Sequence, residues 1–290
     1  GLDTDPANAA YAKDRLRDAP IDVHIFHANF AQARTALDEA GVQGADLLLA
    51  DFGFASNQMD DASRGFSFMR DGPLDMRLDT TQPTTAATLV NSLPEKELAD
   101  LIYQYGEERL SRRIARKIVE VRRQSPINST GTLAEVVRQA CGVASSSRSS
   151  RAGQAHPSAR RPRAGRIDPA TRTFMALRIA VNGELEAIEQ LLSDLPSLMN
   201  VGGTASLISF HSLEDRLVKR WLVQFEKAGR ARRLTPKPIV ASEDEIARNP
   251  RSRSAKWRFR GSWRSGSRRR SARTLRARGM RFSRRVLSRT

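Results

Sequence analysis

Residues 46–77 read DLLLADFGFASNQMDDASRGFSFMRDGPLDMR, and this stretch decides the fold. It begins with an apolar run at 47–50 that two aspartates enclose. Such a run is typical of a strand buried on both faces of a parallel sheet, although a buried helical turn has the same composition. Asp51 and Gly53 follow the run directly, and open α/β sheets bind their ligands at the carboxyl ends of their strands. The stretch therefore predicts an α/β fold with a ligand site that includes Asp51.

The second half of this stretch has neither helical nor strand periodicity. It interleaves aromatic side chains with charged ones, and Gly65 and Gly72-Pro73 supply turns. Aromatic rings on a polar loop are typical of a surface that stacks on flat groups such as nucleobases. The alternative interpretation, which the sequence supports equally, is that the rings only anchor a long loop to the core.

The length and composition of the chain limit its class. A chain of 290 residues can bury one large core or two modest ones. It contains no apolar run of 18 residues and no secretory signal before its first acidic residues, so we expect a cytoplasmic protein without a transmembrane helix. The single cysteine, Cys141, excludes an intramolecular disulfide framework and a zinc site with several thiolates.

The net charge of +17 is unevenly distributed along the chain. Residues 251–290 contain 15 Arg, one Lys and no acidic residue, whereas the first 250 residues carry 33 basic and 32 acidic side chains. Residues 142–166 form a second basic block, a linker rich in Ser, Arg, Pro and Gly. Such segments bind phosphate backbones without sequence preference, or have no partner at all. We expect residues 257–290 to be disordered, because their composition cannot bury a core.

The first residues have the pattern of a strand-to-helix junction in a nucleotide-binding fold. A carboxylate such as Asp3 accepts hydrogen bonds from ribose hydroxyls there, while Asp5 is the expected cap of a helix that starts at Pro6. Residues 22–26 are predicted to form a short strand. The glycine-rich turn that usually precedes the acidic residue by about 20 positions is absent before Asp3. We therefore expect a chain truncated at its N-terminus, without the first strands of the sheet.

Residues 83–141 are predicted to be helical. Ser92 and Glu95 have the spacing of a capping box, which predicts a helix that starts after Ser92. Residues 107–124 form a basic amphipathic helix with one apolar stripe. The arginines on the rest of that helix are either a solvated face or contacts to phosphates.

The chain then returns to an α/β pattern. Two helices precede a buried strand at 204–210, which we expect to pair in parallel with the apolar run at 47–50. His211 follows that strand, and Ser212 is predicted to cap the next helix with Asp215 at its third position. A histidine at such a strand end is in a ligand position, although a lone histidine is more often structural.

Several long motifs occur in order along the chain. They are RGFSFMRDGPLDMR at 64–77, YGEERLSRRIARKIVE at 105–120, DPATRTFMALRIAVNGELEAIE at 168–189, SLISFHSLEDRLVKRW at 206–221 and NPRSRSAK at 249–256. In these motifs the chain resembles the bacterial methyltransferases that modify the N4 amine of a cytidine in 16S ribosomal RNA of the small ribosomal subunit. The match covers residues 1–256.

The resemblance implies a Rossmann-like methyltransferase fold with S-adenosyl-L-methionine as cofactor and no metal. The methyltransferase core would occupy residues 1–82 and 167–256, with its first strands missing. An inserted helical module with the basic linker would occupy residues 83–166, and the basic tail residues 257–290. By resemblance, the cofactor contacts are Asp3, Phe30, Asp51 and Gln58.

The chain departs from the family pattern around its central motif. Phe52 and Phe54 stand where the family has aliphatic residues, and Asn57 stands where it has a proline. The glycine-rich cofactor turn of the family has no counterpart either. The missing turn predicts that the 290 residues bind S-adenosyl-L-methionine weakly or not at all, which would leave this copy inactive.

The chemistry that the resemblance implies requires alignment more than acid–base assistance, because a sulfonium already activates its methyl group. The N4 amine of cytosine is a poor nucleophile, and a hydrogen-bond acceptor beside it would offset the developing positive charge. Asp51 and His211 are therefore the candidate catalytic residues, with a role in holding the cofactor favoured for Asp51. The candidate RNA contacts are Arg64, Arg70, Arg112, Arg113, Arg116, Arg172 and Arg178.

Two other classes of protein fit parts of the same pattern. The basic segments also suit a non-catalytic RNA-binding relative that has lost the cofactor turn. The strand that ends at Asp51 also suits a nucleotide-dependent oxidoreductase.

Overall fold

The computed structural model describes residues 1–143, 168–261 and 263. The strands are β1 (Leu2–Asp3), β2 (Phe26–His27), β3 (Ala45–Asp51), β4 (Met199–Ser209), β5 (Arg232–Arg233), β6 (Ile239–Val240) and β7 (Lys256–Gly261). The helices are α1 (Pro6–Arg15), α2 (Ala33–Glu39), α3 (Ser56–Asp60), α4 (Ala86–Ser92), α5 (Glu95–Gly106), α6 (Ser111–Arg122), α7 (Thr130–Ala140), α8 (Ala170–Asn182), α9 (Glu184–Leu198), α10 (Ser212–Lys227) and α11 (Glu243–Arg248). Short 3-10 helices lie at Phe30–Gln32, Ala62–Arg64 and Pro250–Ser254.

The chain forms two compact units. Residues 1–53 and the described residues from 184 onward form one, here called the sheet unit. Residues 54–183 form the other, here called the helical unit. The division predicted from the sequence, with a helical module at 83–166, has different boundaries and stays a prediction.

The larger sheet of the sheet unit has the strand order β3-β4-β7-β5, and β6 also pairs with β7. β3 and β4 are parallel, with Asp51 opposite Ile208, whereas β7 is antiparallel to β4. The predicted parallel pairing of these two runs is therefore confirmed. β1 and β2 form a separate two-stranded parallel sheet, with Asp3 opposite His27.

The prediction that the apolar run at 47–50 is buried on both faces is wrong. Leu47 is 70% exposed and Leu49 is 63% exposed, whereas Ala50 is buried. Within the described ranges β3 pairs only with β4, so it lies at an edge of the sheet. A strand with a neighbour on one side only has fewer side chains to cover it, and its apolar run stays partly open to solvent.

The strand predicted at 22–26 is also wrong in its extent. Only Phe26 and His27 join the ladder, opposite Leu2 and Asp3. Residues 22–25 join no ladder, and their contact with this strand region is a hydrogen bond from the amino group of Gly1 to the carbonyl oxygen of His24 at 2.6 Å.

The C-terminal boundary at residue 256 is a further correction. Residues up to Gly261 belong to β7, which pairs along β4. Trp263 is 3% exposed, and its ring packs edge-to-face against Phe225 of α10 at a centroid distance of 5.1 Å. A strand of only six residues leaves little trace in the composition of the whole segment. The other residues of the predicted tail, and residues 144–166 of the predicted linker, lie outside the described part of the chain.

The predicted cap at Ser92 is wrong as well. Ser92 is the last residue of α4, and its hydroxyl donates to the carbonyl oxygen of Thr88. The next helix begins at Glu95, after Pro94. Since proline disfavours a helical conformation in the residue before it, Leu93 is extended and separates the two helices.

The helical unit has a continuous apolar core. The predicted amphipathic helix is α6, and its Ile114 and Ile118 are fully buried. They pack in one cluster with Ile102 of α5, Leu133 of α7 and Leu177 of α8. Burying each of these side chains contributes about 1.5–3 kcal/mol. The apolar faces of these helices therefore pack against one another.

Candidate functional site

The ends of β3 and β4 lie side by side in the sheet unit. Asp51, the last residue of β3, is opposite Ile208, and the N–H of Phe52 donates to the carbonyl oxygen of Ile208 at 3.0 Å. His211 comes two residues after β4, at the same carboxyl end of these parallel strands. The two candidate catalytic residues therefore come from adjacent ends of parallel strands, which is where open α/β sheets bind ligands.

Glu214 fixes the turn that carries His211. Its carboxylate is fully buried and accepts hydrogen bonds from the backbone N–H groups of Phe210 and His211, at 2.7 and 3.1 Å. Its second oxygen lies 3.0 Å from Nε2 of His211. One carboxylate thus holds the backbone of this turn through one oxygen and lies beside the imidazole of His211 through the other.

The cap predicted for this helix is wrong by one residue. The helix α10 begins at Ser212, so His211 occupies the cap position and Glu214, not Asp215, is the third helical residue. Asp215 instead receives hydrogen bonds from Lys256 and Arg258 of β7, at 3.2 and 2.8 Å. Burial alone would raise its pKa, but these two bonds and the charges of their donors lower the pKa of Asp215.

Glu184, the first residue of α9, completes a group of ionisable side chains that we call the strand-end cluster: Asp51, Glu184, His211 and Glu214. One side-chain oxygen or nitrogen atom from each of Glu184, His211 and Glu214 lies within 4.8 Å of the other two. Carboxylates and imidazoles are also common metal ligands. Partial burial and the nearby carboxylate of Glu214 raise the pKa of Asp51. The sequence interpretation missed Glu214, which its spacing of three residues from His211 could have indicated, and Glu184, which no local pattern indicates.

Two of the predicted cofactor residues lie elsewhere in the sheet unit. Asp3 ends β1, and its carboxylate accepts from the N–H of Asp5 at 2.8 Å. Burial is the main cause that raises the pKa of Asp3. The ring of Phe30 packs against Phe52 at 5.5 Å between centroids. The predicted cap at Asp5 is confirmed, because its carboxylate accepts from the N–H of Ala7.

The fourth predicted cofactor residue, Gln58, belongs to the helical unit. It is 3% exposed, and its side-chain oxygen accepts from the N–H of Ala55 at 2.8 Å, at the start of α3. The side-chain oxygen of Gln58 is therefore already bonded to the backbone at the start of its own helix.

The seven candidate RNA contacts all lie in the helical unit, and six of them fall into two groups. Arg64 donates to the carbonyl oxygens of Arg77 and Leu78, and Arg70 donates to that of Asp60. These bonds hold the loop around 60–78 in shape. Exposed arginines form the other group, and these are Arg112, Arg113 and Arg116 of α6 and Arg172 of α8. The remaining candidate, Arg178, lies over an aromatic ring of the loop.

The aromatic side chains of the loop pack in two places. Phe54 and Phe66 stack with their planes 5° apart and their centroids 5.3 Å apart. Phe68 meets Phe174 of α8 edge to face at 4.9 Å. Phe66 belongs to the core of the unit, so the anchoring interpretation is confirmed for that ring, whereas Phe54 stays half-buried.

Comparison with known proteins places the chain among methyltransferases. A family model described as the MraW methylase family matches residues 1–261. The relative named Ribosomal RNA small subunit methyltransferase H in Synechococcus elongatus is 48% identical over 259 residues, which are 89% of this chain and 78% of that protein. The proteins of that name in Prochlorococcus marinus and Geobacter sp. strain M21 are 50% and 44% identical over 260 and 273 residues. Each alignment spans 89% of this chain, and 76% and 82% of the respective relatives.

The mixed sheet with polar residues at its strand ends is that of a Rossmann-like α/β methyltransferase, so the predicted fold class is confirmed. The chain belongs to the MraW methylase family. The cofactor of this family is S-adenosyl-L-methionine, as the sequence motifs predicted. Among the helices of the described residues, none has both the length and the apolar character needed to cross a membrane.

Proposed function

We propose that this protein transfers a methyl group from S-adenosyl-L-methionine to the exocyclic N4 amine of a cytidine in 16S ribosomal RNA of the small ribosomal subunit. The names of its relatives support ribosomal RNA as the substrate. The observation that carries the choice of an amine acceptor is the position of Asp51, a carboxylate at a strand end beside an open glycine backbone. Gly53 has a φ of 115°, which a residue with a side chain rarely adopts.

The side chains proposed to hold the cofactor match its chemical groups. Asp3 can accept hydrogen bonds from the ribose hydroxyls, and the half-buried ring of Phe30 can lie against the adenine. The carboxylate of Asp51 can pair with the ammonium group of the methionine part. Gln58, in the helical unit, stays a contact predicted by the family resemblance alone. When bound, S-adenosyl-L-methionine supplies a methyl group on a positively charged sulfur.

The acceptor amine needs help from the protein, because its lone pair is delocalised into the cytosine ring. A carboxylate that accepts a hydrogen bond from the amine favours the pyramidal nitrogen that attacks the methyl carbon. Methyl transfer would form a C–N bond as the methyl–sulfur bond breaks, which would leave the sulfur neutral, and the positively charged nitrogen would then release one proton. Asp51 and His211 are the candidates for these two tasks, and if Asp51 pairs with the cofactor instead, both tasks are left to His211. Glu214 holds the backbone of His211 in place.

The exposed arginines of the helical unit are the proposed contacts to the RNA backbone. Arg112 and Arg113 lie on the exposed face of α6, and Arg116 on that face is 3.6 Å from Glu95. Arg172 is 3.7 Å from Glu108. The pair of Arg116 with Glu95 is exposed, and such pairs are worth about 0–1 kcal/mol, so this guanidinium can exchange its carboxylate for a phosphate at small cost.

The test uses undermethylated small ribosomal subunits and radiolabelled S-adenosyl-L-methionine. Any label transferred to 16S ribosomal RNA is expected to be found as N4-methylcytidine by mass spectrometry of the digested RNA, and the weak cofactor binding predicted for these 290 residues means that its yield should be low. An Asp51→Ala variant serves as the matched control for a contaminating activity. Label in another nucleoside would contradict the proposed acceptor, and label in ribosomal protein alone would contradict the substrate class.

A further inference from the structure

Four side chains of the helical unit form one continuous stack. Phe54 and Phe66 lie parallel, as described above, and the guanidinium carbon of Arg178 lies 4.6 Å from the centre of the Phe54 ring. The guanidinium carbon of Arg64 lies 5.9 Å from the centre of the Phe66 ring. We call this set the arginine–phenylalanine stack.

The Phe66 end of the stack is fixed by the structure around it. Phe66 is 7% exposed and belongs to the core, and Arg64 is held by hydrogen bonds to two backbone carbonyls. Gly65 between them has a φ of 71°, and a Cβ there would lie 2.3 Å from the carbonyl oxygen of Pro73. Only glycine allows this close approach, so the loop holds Phe66 in one place.

The Phe54 end of the stack is rigidly supported but accessible. Phe54 and Arg178 are both half-buried, in contrast to Phe66. Arg178 extends from α8, where its neighbours Leu177 and Ile179 are fully buried. The side chain of Asn182 donates to the carbonyl oxygen of Arg178 and to that of Met76, which ties this turn of the helix to the loop. The backbone of Arg178 is therefore well anchored, while part of its side chain meets solvent.

A second arginine–aromatic pair in the same unit has a different setting. The guanidinium carbon of Arg138 lies 5.6 Å from the centre of the Phe68 ring. However, the Nε of Arg138 donates to Asp168 at 3.0 Å, and Phe68 packs against buried Phe174. The Arg138–Phe68 pair is fixed between Asp168 and the core residue Phe174, so a substitution of Arg138 provides a matched control.

A planar guanidinium supported on an aromatic ring is a suitable surface for a nucleobase. Every base has a flat π-face, and both arginine planes and aromatic rings stack on bases in single-stranded RNA. A lysine at the same place would retain the charge but not the plane. Replacing the arginine by lysine therefore separates the effect of the positive charge from that of the planar group.

We infer that the half-exposed end of the arginine–phenylalanine stack, formed by Phe54 and Arg178, binds one unpaired nucleobase of the RNA substrate. This inference rests on the proposed function, because it assigns a base-binding role within that RNA contact. It gives Arg178 a stacking role, distinct from the phosphate contacts of the α6 arginines.

The inference can be tested with a single-stranded oligocytidylate of about ten nucleotides that carries one central 2-aminopurine. Fluorescence anisotropy reports total binding, and the emission of 2-aminopurine reports stacking. The wild-type protein is expected to quench the emission on binding. Arg178→Lys and Phe54→Leu are each expected to abolish most of the quenching and to weaken binding roughly 5- to 100-fold, the range measured for loss of one stacked base.

Three control variants make the result decisive. Arg138→Lys, in the structural pair, is expected to leave quenching unchanged. Phe54→Tyr keeps the ring and is expected to keep the signal, so it separates loss of stacking from loss of folding. Arg112→Gln should weaken binding and leave the quenching of the bound oligonucleotide intact, because it removes a phosphate contact only.

The possible failures are distinguishable. In one outcome, the wild-type protein binds the oligonucleotide while Arg178→Lys and Phe54→Leu quench the 2-aminopurine emission as strongly as the wild type does. In that case the stack does not bind a base, and this inference is contradicted while the proposed function is not. If the wild-type protein binds neither the oligonucleotide nor small ribosomal subunits, the proposed RNA substrate falls and this inference falls with it.

Discussion

The two units of the molecule treat their apolar side chains differently. In the helical unit, Ile114, Ile118 and Leu133 are fully buried, because each amphipathic helix meets another within the unit. In the sheet unit, Leu47 and Leu49 are mostly exposed at the edge strand β3. A helix needs only one covered face, whereas a strand requires neighbours beside it as well as layers above and below. The burial of an apolar run in a sheet therefore depends on residues that its own sequence does not contain.

The units also place their charged side chains differently. The sheet unit gathers carboxylates and a histidine at strand ends, where Glu214 is fully buried. The helical unit distributes arginines over its surface and ties others, such as Arg64 and Arg122, to backbone carbonyls. Chemistry on the bound cofactor is thus proposed for the sheet unit and RNA contact for the helical unit.

The largest expected effect tests the contrast in burial. Replacing Ile118 by Ala in the core of the helical unit should lower the free energy of unfolding by about 2–5 kcal/mol, because it leaves a cavity among fully buried neighbours. Leu47→Ala in the sheet unit is the matched control, and its change should stay within about 0.5 kcal/mol. Chemical denaturation followed by circular dichroism measures both. A loss at Leu47 as large as that at Ile118 would show that this leucine is covered in the folded protein.

The second effect concerns Asp51. If its carboxylate holds the cofactor, Asp51→Asn should raise the dissociation constant of S-adenosyl-L-methionine roughly 10- to 100-fold, the scale of a hydrogen bond to a charged group. Turnover at saturating cofactor should then change little. Calorimetry and steady-state kinetics on the same preparation separate the two quantities. Unchanged cofactor affinity with turnover reduced about 100-fold would instead assign Asp51 to the acceptor amine.

The third effect concerns two aspartates of the sheet unit whose pKa values shift in opposite directions. The pKa of Asp215 is lowered in the folded protein, so its ionised form adds stability above its unfolded pKa of about 3.9, and this stability is lost as the pH falls through the folded value. Asp215→Asn should therefore destabilise the protein by roughly 1–3 kcal/mol at pH 7, with the difference from wild type vanishing in acid.

Asp51 provides the contrasting control, because its pKa is raised. A raised carboxylate pKa means that the ionised form costs stability at neutral pH, so Asp51→Asn should raise the melting temperature slightly at pH 7 and have no such benefit at pH 3. Thermal melts of both variants across this pH range measure the two trends. A parallel response of the two variants would contradict the opposite assignments.

The sequence predicts the parts of this fold that depend on local pattern. The stripe of Ile114 and Ile118 predicts α6, and the apolar runs predict β3 and β4, because these signals lie within one element. The one-residue error at the α10 cap arose because Ser212 is a common cap, whereas His211 became the cap through the buried carboxylate of Glu214. Glu184 escaped prediction because it reaches the strand-end cluster from α9, far from His211 in sequence. The stacking of Phe54 on Phe66 depends likewise on a loop that closes through tertiary contacts.

The smallest expected effect tests the contrast between exposed and tied arginines of the helical unit. Arg112 and Arg113 are exposed on α6. For a single strand, each phosphate contact contributes roughly 0.7 to the slope of the logarithm of the binding constant against the logarithm of the salt concentration, so loss of one contact should reduce the slope by that amount. Arg113→Gln should therefore weaken RNA binding a few-fold at low salt and little at high salt. Arg122 is the matched control on the same helix, since its guanidinium donates to the carbonyl oxygens of Val90 and Leu93 at 2.6 Å each. Arg122→Gln should lower the melting temperature and leave the salt slope unchanged, whereas equal slopes for wild type and Arg113→Gln would remove this face of α6 from the RNA contact.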